Sequence, residues 1–183
     1  MAPIRTADPF DTLGLPATFV LDAARVERAA LAKLAQLHPD VSDASVLEEM
    51  EIAAARMNAA RDVLLFSLSR AEALLKRLGG PAKEADKSLP PGFLMEMMEV
   101  REQVEQAVAS GDSAACTTWM AWAMDQRAQM EATVAALFAK AATDAGALRE
   151  VRVQLNQWRY IERMIEQLDP AYDPGQSDVG GTA

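Results

Sequence analysis

The chain has 183 residues, half of them hydrophobic and a quarter charged, with 18 Lys and Arg against 27 Asp and Glu for a net charge of −9. The length suits one ordinary domain or two small ones. An acidic chain must overcome phosphate repulsion, and no apolar run approaches the ~18 residues of a membrane span, so neither nucleic acid nor membrane is expected as a partner. One cysteine, Cys116, excludes an internal disulfide, and one histidine, His38, excludes a His-pair metal site.

Alanine is frequent, β-branched residues are sparse and no long stretch alternates with period two, which predicts helices throughout. Pro9-Phe10-Asp11-Thr12-Leu13-Gly14-Leu15-Pro16 reads as one short helical turn closed by Gly14 and Pro16. Asp22 is a good N-cap for an amphipathic helix to about Leu37. Its apolar side carries Ala23, Val26, Ala30, Leu34 and Leu37, and its outer face Arg25, Arg28, Lys33 and Gln36. Pro39 disfavours helix at His38. A second long helix is predicted from about Ser45 to Phe66, making a helical hairpin with the first. Ser69 is expected to cap a short helix, Arg70 to Leu78, ended by Gly79-Gly80-Pro81.

Residues 81–92 are polar with prolines at both ends and read as a linker. Residues 1–80 carry 9 basic and 11 acidic side chains, net −2; residues 81–183 carry 9 and 16, net −7. The second half predicts three helices, about Phe93–Ala109, Ser113–Ala142 and Thr143 or Asp144 to Leu168. Their apolar stripes are Phe93, Met97, Val100, Val104, Val108; Cys116, Met120, Ala123, Met130, Val134, Leu137; and Leu148, Val151, Leu155, Trp158, Ile165, Leu168. Short connections imply antiparallel neighbours, so a three-helix bundle follows. Residues 170–183 have no stripe and read as a disordered tail.

His38-Pro39-Asp40 is the most informative tripeptide. It lies where the cationic helix ends and a loop leads into the next long helix. Proline limits the directions of the two polar side chains, and Asp40 could accept a bidentate pair from a partner arginine. Arg25, Arg28 and Lys33 would steer an acidic partner. On residue types alone, the tripeptide reads equally well as a helix stop and a turn. An enzymatic role is disfavoured. His38 and Asp40 have no serine or cysteine motif beside them, and Cys116 sits in an apolar stripe, where a buried structural thiol is expected.

These residues carry a resemblance. The short opening helix, the basic helix, the His38-Pro39-Asp40 loop and the following helix with Asn58-Ala59-Ala60 resemble a J domain. J domains bind DnaK-type ATPase chaperones and stimulate their hydrolysis of ATP. The resemblance implies that His38, Pro39 and Asp40 carry that stimulation and that Arg25, Arg28 and Lys33 help docking. Leu37 stands where tyrosine is common in the family, and the helix is less basic than in many members.

The helix from Phe93 carries more apolar residues than its core stripe needs. At 100° per residue from Phe93, Leu94, Met98 and Met95 fall at about 100°, 140° and 200°, and run into a face with Glu99, Glu102, Glu105 and Gln106. This apolar patch bordered by carboxylates suits a partner with an apolar spot and basic surroundings. Packing against the N-terminal half or the linker would account for it equally.

The stretch Gly92-Phe93-Leu94-Met95-Glu96-Met97-Met98-Glu99-Val100-Arg101-Glu102 is similar to the signature of the HscB family, J-domain co-chaperones of iron–sulfur cluster assembly. Leu68-Ser69-Arg70-Ala71-Glu72-Ala73-Leu74-Leu75 resembles a second family stretch, with Ala73 in a tyrosine's place. The resemblance spans about Asp8 to Leu168. It implies an all-α fold, with an N-terminal J domain (a helical hairpin with short flanking helices, residues 8–80) and a C-terminal antiparallel three-helix bundle (residues 93–169).

It further implies a co-chaperone rather than an enzyme, with no cofactor and no metal. The partners would be an IscU-type cluster scaffold and a DnaK/HscA-type ATPase chaperone. The implied scaffold face is Leu94, Met95, Met98, Glu99, Glu102 and Tyr160, with Gln106 where the family often has a further glutamate. The implied compartment is the bacterial cytoplasm, or the mitochondrial matrix if the source is eukaryotic. Two other readings stand beside this: a J-domain co-chaperone with a different client, and a structural helical interaction protein.

Overall fold

The computed structural model describes residues 8–37, 44–144 and 146–174. Among the described residues there are seven α-helices and no strand. The chain divides into two compact units, one ending at Arg77 and the other spanning Leu78–Asp173.

In the first unit, α1 (Pro9–Leu13) starts on Asp8, whose carboxylate accepts the N–H of Phe10 at 2.9 Å and of Asp11 at 3.3 Å. Pro9 costs no hydrogen bond there, because the first N–H groups of a helix have no internal acceptor. Gly14 ends α1 with φ +66°, a conformation that suits a residue without Cβ. Helix α2 (Ala23–Ala35) starts on Asp22, which accepts the Ala24 N–H at 2.9 Å. Its last turn tightens, with Gln36 and Leu37 donating to carbonyls three residues back. Helices α3 (Ala44–Leu65) and α4 (Ser67–Arg77) complete the unit. Phe10, Leu13, Val26, Ala30, Leu64, Ala71, Leu74 and Leu75 form its core. Each large aliphatic side chain buried in this way contributes ~1.5–3 kcal/mol.

The break between α3 and α4 differs from the sequence expectation. Helix α4 begins at Ser67, and Ser69 lies inside it. The Ser69 hydroxyl donates to the carbonyls of Val63 (2.7 Å) and Phe66 (2.9 Å), so it serves the end of α3 rather than the start of α4. Arg70 completes this repair. It is 5% exposed and donates to the carbonyls of Phe19 (2.8 Å), Leu64 and Leu65 (3.2 Å) and to the Ser67 hydroxyl (2.8 Å). The last carbonyls of a helix have no internal donor, and a buried guanidinium supplies several at once. Arg77 then closes the unit on Asp11 (2.9 Å) and Asp8 (3.0 Å).

In the second unit, α5 (Phe93–Ser110), α6 (Ser113–Ala141) and α7 (Ala147–Leu168) form the antiparallel three-helix bundle. Asp112 caps α6, accepting the N–H groups of Ala114 (3.1 Å) and Ala115 (3.0 Å). Helix α7 starts later than its polar lead-in suggests. Asp144 instead accepts the Gly146 N–H at 2.8 Å and pairs with Lys140 at 3.4 Å, which shapes a turn. Phe93, Met97, Val104, Ala123, Ile161, Met164 and Ile165 make one core cluster. Val134, Val151, Leu155 and Trp158 are also fully enclosed.

Three expectations are corrected here. Val108 is exposed and Ala107 takes its buried place, because the stripe drifts around a helix of 3.6 residues per turn. Cys116 is half-buried rather than enclosed, one turn from the start of α6. The stretch 81–92, expected as a linker, is held along α7: Arg152 donates to the Pro81 carbonyl (2.9 Å), and Asn156 donates to the carbonyls of Asp86 (3.1 Å) and Ser88 (3.0 Å). Its Leu89 packs on the core cluster.

The bundle also buries a polar group that periodicity did not indicate. Arg127 of α6 meets Glu162 of α7 at 3.1 Å, and Glu162 accepts the Trp158 indole N–H at 2.7 Å. Arg127 lies 3.7 Å from Glu131 as well.

Candidate functional site

Two surfaces concern the sequence-predicted residues, one on each unit. On the first, His38, Pro39 and Asp40 lie outside the described residues. Arg25 and Arg28 are exposed on α2, and Arg28 stands 3.7 Å from Asp22, the residue that caps the helix. Such an exposed pair is worth little. Lys33 does not share that face. It is half-buried, at about 80° from Arg25 and 20° from Val26 around the helix. Its Cε lies 3.9 Å from where a Cβ on Gly14 would stand. The structure therefore brings Arg25 and Arg28 together and sets Lys33 at the edge of the core.

On the second unit, Leu94 is 51%, Met95 70% and Met98 65% exposed. Phe93, Met97 and Val104 point into the bundle, so these three side chains face solvent by the geometry of one helix. Glu99 and Glu102 continue the same face and are exposed. Together with Val100, Gln103 and Trp119 of α6 they line a shallow groove. Trp119 is half-buried and stands edge-to-face with Trp122, ring centroids 5.8 Å apart. The sequence reading missed Trp119, although its place at the start of a long helix beside a predicted patch was a usable signal. An exposed aliphatic and thioether patch with a carboxylate rim can bind an apolar spot in basic surroundings.

Tyr160 meets α5 at Phe93, edge-to-face with centroids 5.6 Å apart. It lines a second groove, formed with Lys83, Lys87, Leu89, Arg159 and Arg163. Tyr160 thus adjoins the first turn of α5 rather than its outer face. Among the described residues, no cluster of His, Cys, Asp and Glu could hold a metal ion, and no helix is long and apolar enough to cross a membrane.

Comparison with known proteins bears on this arrangement. Residues 89–169 match the family model described as the HSCB C-terminal oligomerisation domain. The chain is 34% identical over 172 residues to the co-chaperone protein HscB homolog of Bordetella petrii, covering 92% of this chain and 98% of that one. The chain belongs to the HscB co-chaperone family. The HscB homolog of Burkholderia mallei is 33% identical over 163 residues, with 87% of this chain and 90% of the relative covered. Among solved structures, chaperone HscB from Vibrio cholerae superposes with a TM-score of 0.70 at 26% identity, over 89% of this chain and 96% of that one. Human co-chaperone HscB has the same fold, with a TM-score of 0.77 at 22% identity over 93% and 84% of the two chains. The all-helical J-domain-plus-bundle architecture is thus the HscB fold.

Proposed function

We propose that this chain is a two-ended adaptor in iron–sulfur cluster assembly. The bundle holds an IscU-type scaffold, and the J domain brings it to a DnaK/HscA-type chaperone whose ATPase it stimulates. The observation that carries the reading is the solvent-facing triad Leu94, Met95 and Met98 with Glu99 and Glu102 beside it. Folding leaves three large apolar side chains outside a bundle whose own core is complete, and the carboxylates on that face favour a basic client. On the first unit, exposed Arg25 and Arg28 favour an acidic face of the chaperone, and His38, Pro39 and Asp40 carry the stimulation. Holding client and chaperone on one chain raises their effective concentration and needs no chemistry from the adaptor. The bacterial cytoplasm is the compartment in which this reading places the work.

The test is the steady-state ATPase rate of the cognate chaperone with and without scaffold. Wild-type protein raises the rate, and Asp40→Ala abolishes most of the rise. If Asp40→Ala stimulates fully, the J-domain reading is wrong. Replacing Leu94, Met95 and Met98 together with alanine weakens scaffold binding in calorimetry, and unchanged affinity removes the α5 face from the proposal.

A further inference from the structure

We infer that the docking surface of the second unit has a cationic half, in the groove between the segment 81–92 and α7, and that the client is dipolar. It lays an apolar spot with basic surroundings on α5 and an acidic stretch along this groove. The inference rests on the scaffold reading above.

Residues 81–183 carry a net charge of −7, yet four cations, Lys83, Lys87, Arg159 and Arg163, line one groove. Arg159 and Arg163 are four residues apart on α7, a spacing at which like charges repel. A row of carboxylates on a partner would relieve that repulsion. Glu84 is the acidic residue of the lining, 3.9 Å from Lys83, and leaves the groove net positive.

The groove is preformed. Lys83 and Lys87 hang from a segment that Arg152 and Asn156 tie to α7 through three backbone carbonyls, at 2.9 to 3.1 Å. Little chain entropy remains to be lost on binding there. Half-buried Leu89 and Tyr160 give the groove an apolar floor. The groove meets the first turn of α5. Tyr160 stands edge-to-face with Phe93, and the next residue is Leu94, the first of the exposed triad. A carboxylate reaching Arg163, which is exposed, can be held bidentately, which fixes register as well as charge.

The experiment is calorimetric titration of the full chain with the cognate iron–sulfur scaffold at several NaCl concentrations. Lys87→Glu with Arg163→Glu is expected to weaken binding about tenfold at low salt and to flatten its salt dependence. Lys83→Glu with Lys87→Glu leaves α7 intact and must show the same behaviour, which separates loss of docking from loss of fold. The α5 triple-alanine protein is the reference arm. Affinity unchanged or tightened by both charge reversals, with the α5 variant still weakened, overturns the cationic half and leaves the α5 face standing. A scaffold that does not bind wild-type protein overturns both.

Discussion

In the first unit the buried Arg70 gives its N–H groups to the carbonyls of Phe19, Leu64 and Leu65, whereas in the second the buried Arg127 faces the carboxylate of Glu162. Both arginines are nearly excluded from solvent. The first is a hydrogen-bonded cation at the negative end of α3, where helix carbonyls lack internal donors and the dipole favours positive charge. The second is an ion pair between two helices, with the Trp158 indole as a further donor to the same carboxylate oxygen. Burial of a cation therefore serves local chain geometry in one unit and helix–helix register in the other. Removal of the arginine leaves neutral acceptors behind in the first case and a buried charge in the second.

That difference sets the order of the expected effects. Arg127→Met strands the Glu162 carboxylate in the bundle and should cost ~3–5 kcal/mol in urea unfolding followed at the tryptophans. Adding Glu162→Leu should recover most of the loss, since the charge then goes too. If the double variant is as unstable as the single one, the pair acts through packing rather than charge. Arg70→Met should cost less, about 2–3 kcal/mol, because the orphaned carbonyls are polar but uncharged. A larger loss than that of Arg127→Met would reverse the comparison.

Smaller effects come from the segment held along α7. Asn156→Ala removes two hydrogen bonds, to the carbonyls of Asp86 and Ser88. It should cost about 1 kcal/mol and speed limited proteolysis within residues 81–92. Asp86 itself is sensitive to pH. The Ser88 hydroxyl and backbone N–H, with Arg149 and Arg152, hold its carboxyl below the usual value of 3.8. The native state thus favours the charged form. Its contribution is complete above 3.8 and is lost as the pH falls below that value through the lower native pKa. The stability gap between wild type and Asp86→Asn should therefore close as the pH is lowered from about 6 to about 3. Least of all, alanine at Leu94, Met95 and Met98 should shift stability by no more than about 0.5 kcal/mol, because these side chains are already in water. A large loss in thermal melts would show that they serve the fold.

The exposed triad was legible in the sequence because it depends on one helix alone. Once Phe93, Met97 and Val104 face inward, a rise of 3.6 residues per turn sends Leu94, Met95 and Met98 outward. The same locality made Asp22 readable as a start and Gly14 as an end, since caps act within a few residues. Lys33 and Ser69 show where local reasoning fails. Lys33 looks like part of a cationic face until angle and burial place it at the core edge. Ser69 looks like a cap for the helix it sits in, but its hydroxyl reaches back to the previous one.

By itself the sequence determined the helices to within a turn, most of their inward faces, the division of acidity between the halves and the two family motifs, all of which arise from neighbours along one chain. The tertiary structure alone decided what Arg70 and Arg127 are for, that residues 81–92 lie along α7, and that four cations in an acidic half line one groove with Tyr160. Partners in those arrangements lie as far as 71 residues apart in the chain, between Pro81 and Arg152. No periodicity reports a distance of that kind, because it is set only when separate apolar faces are buried against one another.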